Sequence, residues 1–289
     1  MPSMRLYRFS IFVWSCVLVL ILAGGLVTSK EAGLAVPDWP LSYGRLMPPM
    51  VGGIRYEHTH RMIAAGAGLM TLVLTFWLLA KEKRTWVRWV GIAAFGAVVT
   101  QGILGALTVQ YLLPPPISIF HACLAQTFFT LVVWLSFATS KEWFSHDSNL
   151  KQAKAEGLKR PLIMLIALIY LQLILGATLR HTANHLIVIS HIVNGFLVLI
   201  HAGVVMMKAF QNDAHDKTLT QPAFAIGFLA LIQMSLGMGA FVYVVMLTER
   251  LQPQAWKIFF VTAHQSLGAL LLALSVFVLL RVLRRGESS

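Results

Sequence analysis

The sequence predicts an all-α membrane protein: eight transmembrane helices arranged as two pseudo-symmetric four-helix bundles, with both termini in the cytoplasm. Three observations carry that expectation. The composition is 57% hydrophobic and 12% charged, eight apolar runs have spanning length, and Lys and Arg are distributed one-sidedly. An average soluble domain carries about 25% charged residues, so an ordinary cytosolic enzyme, a disordered chain and a disulfide scaffold are all excluded. The two cysteines, Cys16 and Cys123, lie inside apolar runs and offer neither a disulfide framework nor a CxxC metal site.

A helix needs about 20 residues to cross the hydrocarbon core. Runs at about 9–28, 62–80, 89–109, 118–138, 161–179, 186–207, 222–247 and 258–280 meet that length, allowing for tilt. The first lacks a small-residue cleavage site and reads as a retained span. With the N-terminus placed inside, inner segments hold 16 Lys and Arg and outer segments hold 7. That asymmetry sets the orientation. The net charge of +12 then belongs to loops facing anionic lipid, not to a nucleic-acid surface. The lack of an Arg- and Ser-rich leader favours a bacterial plasma membrane over a mitochondrial inner membrane.

An internal repeat organises the spans. Gln101-x-x-Leu104-Gly105 in the third returns as Gln233-x-x-Leu236-Gly237 in the seventh. His121-x-x-Leu124-Ala125 in the fourth returns as His264-x-x-Leu267-Gly268 in the eighth, while His60 opens the second span and His191 the sixth. The steps from His60 to Gln101 and from His191 to Gln233 are nearly equal. The chain therefore reads as an N-terminal half over 1–140, a cytoplasmic linker over 141–160 and a C-terminal half over 161–289. Four helices per copy give the copies the same orientation, a parallel repeat.

Ten histidines are present. His146 and His215 fall in inner loops and read as solvated. His60, His121, His191 and His264 each lie near the outer end of an even-numbered span, as one pair per half. A histidine within a membrane is costly and a functional candidate by default; an interhelical hydrogen bond is the alternative for any single one. Two imidazoles from two helices of a four-helix bundle form a natural axial heme site. A structural zinc site usually has four ligands, and no Cys or carboxylate cluster supplies the others. Two bis-histidine heme sites are the favoured reading. Gly66, Gly68, Gly105, Gly195, Gly237 and Gly268 would admit a flat macrocycle, although close helix packing explains them equally well.

The halves differ at one position. Glu57 stands three residues before His60, whereas Val188 stands three before His191. Glu57 reads either as a group that stabilises charge or moves a proton at a bound heme, or as an interfacial acid paired with Arg61 or Arg55. Before it lies a long outer loop, about 29–57, whose stretch from Gly33 to Gly44 is broken by Pro37 and Pro40. Loops of this length are often functional; Trp39 and Tyr43 also suit a membrane-interface belt.

These residues resemble the heme A synthase family. The likeness rests on Glu57-His58-Thr59-His60-Arg61, on Pro37-Asp38-Trp39-Pro40 within Gly33 to Gly44, on Phe120-His121 with Leu124-Ala125-Gln126, and on Ala263-His264-Gln265. It covers essentially all eight spans. The resemblance implies one heme b held as cofactor by His191 and His264, toward the outer face. It implies heme O as substrate between His60 and His121, with Glu57 as catalytic residue near the reacting methyl group and Arg61 in support. The implied reaction oxidises the C8 methyl of heme O to a formyl group by successive hydroxylations, giving heme A for cytochrome oxidase. Implied partners are heme O synthase, an electron donor and the lipid bilayer, with a homo-oligomer compatible and no nucleic acid. One departure is plain: some members carry a cysteine pair in the first outer loop, and residues 29–57 contain no cysteine. His58, His181 and His185 read as pocket-lining or interfacial imidazoles.

Two rival readings use the same residues. A di-heme membrane electron-transfer cytochrome without bond chemistry accounts for the histidine pairs but gives Glu57 no role. A transporter with histidines along a polar path predicts no heme, and the broken helices typical of such proteins are not evident.

Overall fold

The computed structural model describes residues 3–144, 152–182, 184–247 and 254–286, without the side chains of 152–156 and of 286. His146, Lys151 and Arg250, the side chain of Lys154 and part of the linker read over 141–160 lie outside that description.

Eight long helices follow one another: α1 Met4–Ser29, α2 Ile54–Lys81, α3 Thr85–Gln110, α4 Pro115–Ala138, α5 Gln152–Leu179, α6 His185–Asp213, α7 Lys217–Phe241 and α8 Gln254–Gly286. All eight are long and apolar enough to cross a membrane. A single helical turn, Lys141–Phe144, follows α4, and a π-helical turn, Val242–Met246, continues α7. Among the described residues there is no strand, only an isolated bridge between Ser42 and Arg45. The chain is a multi-pass, all-helical membrane protein.

Several helix ends are set by local chemistry. The Ser3 hydroxyl accepts from the Leu6 amide at the start of α1, and the Asn184 side chain accepts from the Leu186 amide at the start of α6, each satisfying an amide that has no partner within the helix. Pro115 opens α4 at a position where a missing amide proton costs nothing. Pro222 lies inside α7, where it leaves the Thr218 carbonyl without its helical donor. Arg281 of α8 donates to that carbonyl instead.

Neighbour contacts define the packing. α1 meets α2 and α4, and α3 meets α2 and α4, so α2 and α4 stand diagonally in a ring of four. α5 meets α6 and α8, and α7 meets α6 and α8, which places α6 and α8 diagonally in a second ring. α1 and α4 contact α8, and α4 also contacts α5, joining the rings.

The buried core is concentrated at the end of the molecule that carries both termini. In the first ring it is built from Val13, Leu74, Leu78, Ala94, Phe129 and Val132, and in the second from Leu158, Leu162, Leu165, Val205, Ile226 and Val278. His60, His121, His191 and His264 sit toward the opposite ends of their helices. Tight apolar packing therefore holds one end of each ring while the other end is lined by polar side chains.

Candidate functional site: four histidines and the first loop

Each of the four histidine rings rests against a glycine on the preceding helix. A methyl group built on Gly24, Gly105, Gly176 or Gly237 would lie 3.0, 3.7, 3.0 or 2.8 Å from Cε1 of His60, His121, His191 or His264, respectively. At Gly237 a Cβ would force a shift, and at Gly24 and Gly176 the ring would have to give by a few tenths of an ångström.

The residue four positions before each glycine supplies a backbone carbonyl beside the ring: Leu20 for His60, Gln101 for His121, Gln172 for His191 and Gln233 for His264. His264 closes the contact as a hydrogen bond, with Nδ1 3.1 Å from the Gln233 oxygen. The Nδ1 atoms of His60, His121 and His191 are buried without completing one. A carbonyl facing Nδ1 favours the tautomer with its proton there and leaves the Nε2 lone pair free for a metal.

The three glutamines act a second time through their side chains. Nε2 of Gln101, Gln172 and Gln233 donates to the backbone carbonyl of His121, His191 and His264 at 2.8, 2.9 and 2.9 Å. The motif at Gln101 and Gln233 has a third copy, Gln172-x-x-Leu175-Gly176 in the fifth span, which matching the third span to the seventh alone does not reach.

His191 and His264 face each other across the second ring with centroids 6.2 Å apart and planes at 68°. A histidine nitrogen lies about 2.0–2.1 Å from a bound metal such as zinc, so with ring radii of about 1.2 Å two imidazoles on opposite sides of one metal would place their centroids about 6.4 Å apart. His191 and His264 would therefore suit as the two protein ligands of a heme iron. His60 and His121 are close enough to bear on one another's charge. Among the described residues, no three of His, Cys, Asp and Glu gather as a metal-binding group, so each candidate site offers a pair and not a cage.

The remaining predicted residues fall into two groups. Gly195 lies 3.3 Å, by its absent methyl, from Gln172 Nε2, and Gly268 lies 3.2 Å from Gln233 Nε2, so both make room for the glutamine clasps. Gly66 has nothing within 4 Å of the same point. His58 leaves the histidine pairs: its Nδ1 is 2.9 Å from the Ser42 hydroxyl in the first loop.

Glu57 is 4% exposed and both of its oxygens are engaged. Oε2 accepts from the Val36 amide at 2.8 Å, and Oε1 accepts from Arg61 Nη2 at 2.5 Å. Arg61 also donates to the carbonyls of Asp38, Leu41 and Val36 at 2.6, 3.0 and 3.2 Å. The pairing of Glu57 with Arg61, rather than with Arg55, thus ties the start of α2 to the loop. Asp38 holds the loop's far side by accepting from the amides of Tyr43 and Gly44 at 2.6 and 2.7 Å. Those two amides, Gly44 first, keep the Asp38 carboxyl below its ordinary value. The Trp39–Pro40 bond is cis, and the Tyr43 hydroxyl donates to the Ala35 carbonyl.

Fold and site together define a polytopic helical membrane protein with paired intramembrane histidines. A family profile described as cytochrome oxidase assembly protein matches residues 54–193. Relatives called heme A synthase include one from Symbiobacterium thermophilum, 29% identical over 57% of this chain and 55% of its own. Another, from Alkalihalophilus pseudofirmus, is 27% identical over 62% and 60%. A third, from Halalkalibacterium halodurans, is 25% identical over 76% and 81%. The chain spans less than two thirds of the length of the first two. Over these spans the chain is similar to a cytochrome oxidase assembly protein family and to proteins called heme A synthase.

Proposed function

We propose that this protein is a heme A synthase, oxidising the C8 methyl group of heme O to a formyl group by successive hydroxylations, for use in cytochrome oxidase. The observation that carries the reading is the pair of diagonal histidines in each helical ring, with a carboxylate beside one pair only. The relatives' names and the first-loop motif support it. In this reading the two rings are copies of one four-helix unit, over 1–140 and 161–289, and their histidine-bearing ends face outward from a bacterial plasma membrane.

His191 and His264 hold heme b, and His60 and His121 hold heme O. Bound heme supplies the redox chemistry that an unactivated methyl group demands and that side chains lack. The protein's own part is binding and orientation. The carbonyls beside the rings fix the tautomer, the glycines let the rings seat, and Arg61 staples the loop to the start of α2 next to His60. Glu57, one helical turn before His60, presents a carboxylate whose charge Arg61 balances, able to stabilise positive charge at the substrate edge or take a proton from it. Electrons come from a donor outside the chain, and heme O from a heme O synthase.

The engagement of both Glu57 oxygens favours one second reading, a di-heme electron-transfer cytochrome in which Glu57 only anchors the loop. Heme extraction and mass analysis of protein produced with and without a heme O synthase separate the two. Heme A or its hydroxylated precursor, formed only when heme O is supplied, establishes the synthase. Heme B alone in both preparations, with a reducing partner present, establishes the cytochrome. Glu57→Ala is expected to abolish turnover and keep the C-terminal heme; His264→Ala is expected to lose that heme. Normal heme A output from the first, or unchanged heme B in the second, would remove the corresponding assignment.

A further inference from the structure

The four histidines are not held alike. His191 is restrained by a polar relay: its carbonyl accepts from Gln172 Nε2, and Gln172 Oε1 accepts from Asn194 Nδ2 at 2.7 Å. The same Asn194 nitrogen donates to the Leu168 carbonyl at 3.0 Å. Asn194 is buried one turn beyond His191 on α6, so the relay stitches α6 to α5 immediately around the ring. His264 and His121 have their own glutamine clasps. His60 has none. The position four residues before its glycine is Leu20, and the position one turn beyond it on α2 is Ile63. Both members of the relay are replaced by aliphatic side chains at this one histidine.

A side-chain amide on a histidine's own carbonyl restrains the position of that helix segment against its neighbour, and so restrains the ring. A buried hydrogen bond of this kind contributes modestly to stability, but its loss leaves buried polar atoms unpaired. Leu20 and Ile63 impose no such penalty when α2 shifts. We propose that Gln101, Gln172 and Gln233 are positioning residues that lock three of the four histidines, and that Leu20 leaves His60 as the releasable one. The N-terminal pair then exchanges its heme through movement of α2 at His60, while the C-terminal pair retains its own. This rests on the histidine pairs being heme ligands, as argued above.

The test uses the full chain in nanodiscs, loaded with hemin, with transfer of heme to excess apomyoglobin followed by absorbance. His60→Ala and His264→Ala proteins assign the phases to sites, and wild type is expected to lose heme faster from the N-terminal pair. Leu20→Gln is expected to slow that phase, and Gln172→Met and Gln233→Met to speed the other, by about two- to tenfold each, the range one net hydrogen bond allows. The methionine variants are also expected to shift the ferric low-spin electron paramagnetic resonance signal of the C-terminal heme, since freed rings change their mutual angle. General destabilisation would not single out that signal, and the Leu20→Gln arm gains a bond and does not depend on damage. A Leu20→Gln protein that holds N-terminal heme no longer than wild type overturns the proposal, as do methionine variants with unchanged rates and signal. If His191→Ala and His264→Ala leave heme binding intact, the ligand reading itself fails, separately from the role of the glutamines.

Discussion

Arg61 shows how much a single side chain organises at the start of α2. Its guanidinium spans three loop carbonyls and one carboxylate, a task that needs the planar fork of arginine and that the point charge of lysine cannot reproduce. Arg61→Lys is expected to release the Gly33-to-Gly44 stretch at a cost of about 2 kcal/mol, the scale of a lost hydrogen bond to a charged group. Limited proteolysis of the loop reads this directly, and cleavage no faster than in wild type would contradict it. Asp38 gives a pH dependence of known sign. Its carboxyl is held below the ordinary value of 3.8, so the order it confers is complete above that value and is lost as pH falls through its lower folded value. Loop protection is expected to stay flat from neutral pH down to the ordinary carboxylate range and to fall only below it. Asp38→Asn, which can accept but carries no charge, should weaken protection wherever Asp38 is ionised and converge on wild type at the acid end. Glu57 is legible from its offset to His60, and once α2 begins at Ile54 its pairing with Arg61, four residues on, follows the local helical spacing that Arg55 lacks. The approach of Val36 and Asp38 to these side chains is a long-range contact that no local pattern encodes.

At the scale of helices, the apolar runs located every span but not its ends. The second run begins at about 62, whereas α2 begins at Ile54. The intervening Arg55, Glu57, His58 and His60 are polar and escape a hydropathy reading, yet they are helical, with Glu57 in the first turn where the helix dipole favours an anion. α5 and α7 likewise begin before their apolar runs, which open at Pro161 and Pro222. A proline breaks the local helical ladder, but Arg281 satisfies the carbonyl that Pro222 frees, and a partner from another helix is invisible in a local window. The glycine behind each histidine gives a prediction for these elements. At Gly237 a methyl group would sit 2.8 Å from His264 Cε1, closer than real contacts allow, while at Gly105 it would sit 3.7 Å from His121 Cε1, an ordinary contact. Gly237→Ala is therefore expected to displace His264 and alter the spectrum or content of the C-terminal heme, and Gly105→Ala to leave the N-terminal pair nearly unchanged. Equal effects at the two positions would mean that the rings are not seated by these glycines.

At the scale of the whole molecule, the two rings are joined at both ends of their seam. Ser29 and Thr262 meet at 2.9 Å and Lys257 pairs with Glu31 at the histidine-bearing end, while Arg281 pairs with Glu142 at the end carrying the termini. These partners lie far apart in the sequence and no periodicity relates them, so the joint was illegible even though the spans were not. The Lys and Arg asymmetry, by contrast, is a property of the whole chain and makes a whole-chain prediction. If the end with the termini is cytoplasmic, the loop stapled by Arg61 and the four histidines face the outer side. Leu46 lies in that loop and is 81% exposed; Lys83 is exposed between α2 and α3 on the opposite side. With Cys16 and Cys123 replaced by serine, Leu46→Cys should react with a membrane-impermeant maleimide in intact cells. Lys83→Cys should react only after lysis. The reverse pattern would place the loop and the histidine pairs on the cytoplasmic side and overturn the orientation drawn from the charges. The expected pattern would mean, on the proposed reading, that a substrate heme exchanging at His60 meets the outer half of the bilayer and must reach the protein from that leaflet or through the gap between helices.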